Sequence, residues 1–254
     1  YNKIRVEGAI TDENFRGTLT ADDPALGLDF QGGIDFSKTK PAFDFTADLR
    51  HADLFKLNFV KDSLLVDSRI NLDFQASNLN DAEGQVNLYN TNVSLANRQL
   101  TFDSLNLNSL VQERADTTDF KKLTLASHIL DLRLSGGYNL TSLGDIGKMT
   151  LNRVVDRQLV PGDSFDRVAE DLNFQFQVHN AAFLMELAQT PLVLEDNTGL
   201  SGYINTQTGD LTIEGRIPGF YYKQWSGRNL RLRGSGNQDN IYLQTEIGEL
   251  KRAD

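Results

Sequence analysis

The sequence contains no cysteine, which excludes disulfide bonds, thiolate metal ligands and cysteine nucleophiles together. This absence leaves the compartment open, because cytosolic proteins and many periplasmic proteins alike lack disulfides. Long apolar runs are also missing: runs such as "AAFLM" fall far short of the roughly 18 residues that a membrane-spanning helix needs. The length of 254 residues suits one large or two ordinary domains.

Basic residues are in short supply. The chain has 25 lysines and arginines against 35 aspartates and glutamates, which gives a formal net charge of −10. Nucleic acids and anionic lipid surfaces attract proteins with an excess of positive charge, so the composition argues against both partners. Charges of the two signs are interspersed along the chain, which is typical of a solvated outer face.

Motifs that carry catalysis are absent from the sequence. It contains no G-x-S-x-G, Walker A or dinucleotide-binding glycine pattern. The histidines His51, His128 and His179 lie far apart without metal-ligand spacing, and we interpret them as solvated residues near strand ends. Acidic residues cluster in turn sequences, where they normally accept backbone hydrogen bonds. We therefore predict a protein that is not an enzyme and has no cofactor and no metal.

The dominant pattern is an alternation of apolar and polar residues. In "SRINLDFQASN" the apolar positions are Ile70, Leu72, Phe74 and Ala76, and polar residues lie between them. Successive side chains of a strand point to opposite faces, so each such segment has one apolar and one polar face. This is the behaviour of antiparallel strands. Recurring turn signals, including "TDEN", "ADDPALG", "FQGG" and "NLNDAEG", divide the chain into about 17 to 20 predicted strands.

Helix signals are few. Asn180 is a suitable N-cap for "AAFLMELAQ", and Pro191 would end that helix. A second helical spacing runs through residues 141–160, although its glycines weaken it. The segment "HADLFKL" fits either a short turn or more strand. We expect one body over residues 1–254, with a possible boundary near 160–171 that separates a first β segment, 1–160, from a second, 171–254.

Two segments far apart in the chain are near-copies of each other. "FDFTADLRHADLFKL" begins at residue 43, and "FQFQVHNAAFLMEL" begins at residue 174. Both open on Phe-x-Phe and end in a short segment rich in alanine and leucine. A sheet that grows by repeating one unit would produce such copies, so we predict a repeat-built β body.

Sheet geometry limits the possible architectures. Open twisted sheets seldom exceed about 10 strands before they curl, split or close. The predicted class is therefore all-β: a long antiparallel meander that either curls into an open groove or forms an elongated β-sandwich, with one or two short helices. In the first case the apolar face stays partly open, and in the second it is a closed core.

The chain resembles the TamB family of AsmA-like proteins from the envelopes of diderm bacteria, in particular the form found in Bacteroidetes-type bacteria. The resemblance is carried by four segments in family order: "FDFTADLRHADLFKLNF", "DSRINLDFQASNLNDAEGQVNLYNTNVSL", "LTLASHILDLRLSGGYNL" and "DNTGLSGYINTQTGDLTIEGRIPGFYYKQWSGRNLRLRG". It covers almost the whole chain and is least distinctive over residues 141–171.

This resemblance implies a fold, a location and a function. Family members are anchored in the inner membrane by an N-terminal helix, and a curled, taco-like sheet with an apolar inner surface crosses the periplasm. They are implicated in outer-membrane protein assembly and secretion, and in the transport of phospholipid between membranes. Since the chain begins with Tyr1 rather than methionine, we expect an internal stretch of such a protein. Its implied partners are phospholipid acyl chains and an outer-membrane barrel assembly component, with no nucleic acid and with membrane contact only through other regions.

Sixteen apolar residues are candidates for the lining of the groove. On alternation alone we would interpret them as buried sandwich core; the resemblance instead makes part of the set a wall for acyl chains. They are Phe30, Phe36, Phe43, Phe45, Leu72, Phe74, Leu88, Phe102, Leu107, Leu132, Leu134, Phe174, Phe176, Leu211, Leu230 and Leu232.

Two further functions stay open at the sequence level. One is an exported carbohydrate-binding or hydrolytic β-protein, in which the aromatic stretch "FYYKQW" around Trp225 would form a sugar platform. The other is a structural or adhesive β-sandwich with a fully closed core. A closed core would bury every inward leucine and phenylalanine, whereas a groove would leave them partly exposed.

Overall fold

The computed structural model describes residues 3–95, 98–113, 119–141, 171–182, 192–237 and 240–252. These residues form fifteen strands. The bounds are β1 (Ile4–Thr11), β2 (Asn14–Asp23), β3 (Leu26–Asp35), β4 (Ala42–Asp53), β5 (Leu64–Gln75), β6 (Glu83–Leu95), β7 (Arg98–Gln112), β8 (Phe120–Ser127), β9 (Leu130–Gly137), β10 (Asp171–Val178), β11 (Leu192–Leu194), β12 (Gly199–Asn205), β13 (Leu211–Tyr222), β14 (Trp225–Gly236) and β15 (Ile241–Arg252).

Strand order in the sheet follows chain order almost throughout. Hydrogen-bonded neighbours run from β1 to β10 and then through β12, β13, β14 and β15, while the short β11 pairs with β13 off this path. The pairing is antiparallel, and the order does not close on itself. The prediction of an all-β antiparallel meander is therefore confirmed. The fifteen strands of the described residues are fewer than the 17 to 20 expected.

The first hairpin shows how the turn residues act. Asp12 and Glu13 link β1 to β2, with φ angles of 44° and 65°. Positive φ at both central residues is the mark of a type I′ turn, whose twist matches that of paired strands. The next turn is equally short, and the Asp23 carboxylate accepts a hydrogen bond of 2.8 Å from the Ala25 amide. The signals "TDEN" and "ADDPALG" therefore mark hairpins, as predicted.

The prediction of a turn at "FQGG" is wrong. Residues 30–33 lie in the middle of β3. Gly32 has a φ of 150°, and a Cβ atom there would lie 2.5 Å from the Phe45 Cα atom on β4. The glycine therefore permits a close approach between two strands. The rings of Phe15, Phe30 and Phe45 lie beside it, with centroid distances of 6.1 and 4.8 Å between successive rings.

The segment "HADLFKL" combines the two structures that its sequence allowed. His51 to Asp53 end β4, and the following residues form a turn. The Asp53 carboxylate accepts a hydrogen bond of 3.1 Å from the Lys56 amide, and the Lys56 ammonium lies 3.0 Å from the other carboxylate oxygen. The predicted helix after Asn180 is described only at residues 181–182, which are helical. The helical spacing at 142–160 lies outside the described residues.

The chain divides into two compact units. The first unit comprises Tyr1–Ser109 and Leu125–His128; the second comprises Leu110–Thr124 and Ile129–Asp254. In the second unit two apolar clusters are buried, one around Leu134, Tyr138 and Leu172 and one around Ile204 and Leu211. The predicted boundary near 160–171 falls almost wholly outside the described residues and stays a prediction.

Candidate apolar binding face

One face of the first unit is apolar from strand to strand. Directly opposed residues form a row across β1 to β7 that contains no polar side chain: Val6, Leu19, Phe30, Ala47, Ile70, Leu88 and Leu105. Neighbouring strands lie about 4.8 Å apart, so seven strands extend this row over roughly 29 Å. Such a row is long enough to contact most of an extended acyl chain.

Parallel rows widen this face. The next row contains Phe45, Leu72, Val86 and Leu107, and the one after it pairs Phe43 with Phe74. Residues on one side of a strand recur about every 6.8 Å, so three rows make a strip wider than a single acyl chain. We call this strip, with the row from Val6 to Leu105, the apolar face of the first unit.

The opposite face of the same strands is polar. One row across β1 to β7 consists entirely of polar side chains: Glu7, Thr18, Gln31, Thr46, Asn71, Asn87 and Asn106. The Asn106 amide donates a hydrogen bond to the Asn87 side-chain oxygen. Water can solvate this face, so the sheet is strongly two-sided.

Phe102 joins the apolar face through an irregularity in two strands. Phe102 and Leu107 are an odd number of residues apart, which would put them on opposite faces of a regular strand. The register between β5 and β6 shifts between Asp67 and Arg69, and Asn90 has a φ of 48°. Phe102 pairs with Thr91, which lies beyond this shift, and Asp103 and Ser104 are both exposed. In β6 and β7 the side chains that point to the apolar face therefore switch from one alternating set to the other, at Asn90 in β6 and at Asp103 and Ser104 in β7.

The candidate lining residues are mostly half-buried. Phe30, Leu134 and Leu211 are buried, Phe36 is 55% exposed, and the other twelve are intermediate. A residue between two packed sheets normally loses almost all of its exposure. The intermediate values are those of side chains covered by their neighbours in the sheet but open on the side that faces away from it.

The second unit continues the pattern with glycines among the large residues. One row reads Leu132, Phe176, Leu200, Gly215 and Leu232 across β9, β10, β12, β13 and β14. A Cβ atom on Gly215 would lie 3.2 Å from the Leu200 Cδ1 atom and 3.3 Å from the Leu232 Cβ atom, so the flanking leucines leave little room for a side chain there. Leu134 and Phe174 pack with the buried Tyr138 cluster, and Leu211 packs with Ile204. Leu230 pairs with Ile247 on β15.

The other sequence candidates have ordinary structural surroundings. His51 lies 2.9 Å from the Asp23 carbonyl oxygen, and His179 lies 3.2 Å from a carboxylate oxygen of Asp131. Within the described ranges no three potential metal ligands form a group.

No helix in the described part of the chain has both the length and the hydropathy of a membrane-spanning segment.

The aromatic stretch at the β13–β14 hairpin is exposed. Tyr221, Tyr222 and Trp225 each keep more than a third of their accessible surface. Cations lie over two of the rings: the Lys223 ammonium is 5.2 Å from the Tyr222 centroid, and the Arg252 guanidinium is 5.8 Å from that of Trp225. A sugar that stacked on the covered face of Tyr222 or Trp225 would have to displace that cation.

Sequence reasoning left out several members of the apolar face. Phe15, Ile34, Ile70, Val86 and Leu105 occupy the same rows as the predicted residues. The same alternation that identified their neighbours would have found them.

Comparisons of the chain with known protein families, with curated proteins and with solved structures found no match.

Proposed function

We propose that this chain is a non-enzymatic segment of a periplasmic, inner-membrane-anchored envelope protein of the TamB kind, and that its apolar face solvates the acyl chains of phospholipids in transit between membranes. The observation that carries the proposal is the apolar face of the first unit, seven strands long and half-buried. The role in outer-membrane protein assembly, with a barrel component as partner, rests on the sequence resemblance alone.

The energetics favour an apolar guest on this face. Moving one methylene from water to an apolar environment contributes about 0.8 kcal/mol. The half-buried leucines and phenylalanines also gain, because the guest removes their remaining exposed area from water. An acyl chain of about 16 carbons therefore has enough driving force even after the loss of its conformational freedom.

The uniformity of the row favours movement along it. From Val6 to Leu105 every member is aliphatic or aromatic, so a guest that moves by one strand exchanges one apolar contact for a similar one. No polar group in this row would anchor a headgroup. The proposal accordingly assigns no catalytic residue, cofactor or metal to the chain, and places membrane contact in regions outside it.

Site-specific photo-crosslinking tests the proposal. A benzophenone side chain replaces Phe74 on the apolar face, and a matched variant carries it at the adjacent Asp73, which pairs with Asp44 on the polar face. After incubation with radiolabelled phospholipid, we expect several-fold more lipid on the Phe74 variant. A second pair, Leu132 and Arg133 on β9, applies the same comparison to the second unit.

The controls separate this proposal from its rivals. Equal labelling at Phe74 and Asp73, or none at either position, would rule out acyl-chain binding on this face. Glycan-dependent quenching of Trp225 fluorescence without lipid labelling would instead support the carbohydrate-binding alternative. Both variants should first show the circular dichroism spectrum of the parent chain.

A further inference from the structure

A cleft of about 310 Å³ lies over strands β10, β12, β13 and β14 of the second unit. Two rows of side chains border it on the face opposite the row from Leu132 to Leu232. One row contains Ser201, Glu214 and Arg233, and the other contains Gln177, Arg216 and Arg231. Gly199 lies between Gln177 and Arg216 in the second row, and because it has no side chain it leaves a gap between them. The backbone between the two rows forms the floor.

The cleft has an unusual charge for this protein. Three arginines border it against one carboxylate, although the chain as a whole has a net charge of −10. Arg216 lies directly opposite Arg231 in the β13–β14 register. Like charges in directly opposed positions destabilise an antiparallel pair. An anion between them would remove that repulsion.

None of the three arginines has a partner within the described residues. Glu214 borders the same cleft, and Glu246 lies opposite Arg231 on β15, yet neither forms an ion pair with Arg216, Arg231 or Arg233 there. The Glu246 carboxylate instead accepts a hydrogen bond of 3.3 Å from the Gln244 amide. The guanidinium donors of all three arginines are therefore available to a ligand.

We propose that this cleft binds the oxyanion of a phosphate group. A guanidinium presents two parallel N–H donors that match a pair of phosphate oxygens, and a phosphate has enough oxygens to engage more than one arginine. The Ser201 hydroxyl and the Gln177 amide border the same space and can donate to the remaining oxygens. The site is separate from the apolar row Leu132 to Leu232 of the second unit, because it lies on the opposite face of those strands.

Titration with inorganic phosphate tests the site. Calorimetry at a constant ionic strength of about 0.15 M, with chloride as the competing anion, should show saturable phosphate binding. Arg216→Gln and Arg231→Gln should each weaken it by about tenfold or more, since each removes charge-assisted hydrogen bonds. The matched control is Arg16→Gln, in an acid-rich cleft on the polar face of the first unit, which should leave phosphate affinity unchanged.

Three results would overturn the proposal. They are the same heat for phosphate and chloride, unchanged affinity in both cleft variants, and an equal loss in the Arg16→Gln control. The three arginines are exposed, so the variants should fold, and circular dichroism checks this. Lipid labelling at Phe74 should persist in Arg231→Gln, which separates failure of this site from failure of the acyl-chain face.

Vesicle co-sedimentation distinguishes the source of the phosphate. Vesicles of phosphatidylcholine with phosphatidic acid present exposed phosphomonoesters, whereas pure phosphatidylcholine vesicles do not. Capture by the first kind alone, lost in Arg231→Gln, would assign the site to lipid headgroups. Binding of inorganic phosphate without such capture would assign it to a soluble phosphate.

Discussion

Tyr138 is one of the largest fully buried side chains among the described residues, with only 2% of its surface exposed. It follows β9 and packs against Leu134 and Leu172. The Lys121 ammonium donates a hydrogen bond of 2.9 Å to the Tyr138 carbonyl oxygen and lies 5.9 Å from the ring centroid. Burial disfavours the charged phenolate and raises the pKa of Tyr138 to about 12.

Because of this raised pKa, part of the free energy of unfolding is lost at alkaline pH. The folded state prefers the neutral phenol, so the contribution is complete below the unfolded pKa of about 10 and is lost as pH rises through about 12. Tyr138→Phe should remove this loss. We expect the urea midpoint to fall less between pH 8 and pH 11 in the variant than in the parent chain.

The control for this prediction is Tyr242→Phe, a substitution at a tyrosine that is 72% exposed. Its urea midpoints should fall between the two pH values as much as those of the parent chain. If Tyr138→Phe loses stability at pH 11 to the same extent as Tyr242→Phe, the buried phenol does not contribute as described.

At the scale of the strand, two adjacent glycines of β3 differ sharply in what a side chain would meet. A Cβ atom on Gly32 would lie 2.3 Å from the Asp44 carbonyl oxygen, and its φ of 150° is one that side chains rarely adopt. A Cβ atom on Gly33 would meet nothing closer than 3.4 Å. The first position requires glycine, and the second has room for a methyl group.

Alanine substitutions at these two positions test the close approach of β3 to β4. Gly32→Ala should lower the free energy of unfolding by about 1–3 kcal/mol, because the backbone of β4 has to move. Gly33→Ala is the matched control and should change it by less than about 1 kcal/mol. Equal effects in urea unfolding would show that β3 and β4 are not held together as closely as described.

The strands also show which features can be predicted from sequence and which cannot. The alternation in residues 70–76 predicts the two faces of β5 correctly, since side-chain direction is a local property. The pair Gly32–Gly33 misleads, because glycine serves tight turns and close strand contacts alike, and only the neighbouring β4 decides between them. The odd spacing of Phe102 and Leu107 is resolved only by the change of sides at Asp103 and Ser104.

Over the whole molecule, the sequence predicted the apolar face but not the meeting of the cleft arginines on the polar face of the second unit. Every residue of the row from Val6 to Leu105 belongs to an alternating segment, so its direction could be inferred one strand at a time. Arg216 and Arg231 lie on different strands and meet only through the β13–β14 register. Registers depend on turn lengths and bulges, which local sequence patterns do not predict to the residue.

A partly open apolar face should be detectable in the native protein as a whole. We expect the folded chain at neutral pH to enhance the fluorescence of an anilinonaphthalene dye several-fold before any denaturant is added, because half-buried leucines and phenylalanines accept apolar ligands. A short-chain phospholipid should displace the dye. A compact globular protein of similar mass is the control, and fluorescence that rises only on unfolding would indicate a closed core.

Because strand order in the sheet follows chain order, the sheet can gain or lose one hairpin at a time. Removing a complete hairpin, such as β5 with β6, would bring β4 beside β7 with their antiparallel directions retained. Ala47 would then pair with Leu105, and the apolar residues of both strands would still share one face of the sheet. Insertion or deletion of the coding sequence for one hairpin can therefore change the length of the sheet by two strands without altering the pairing of the other strands.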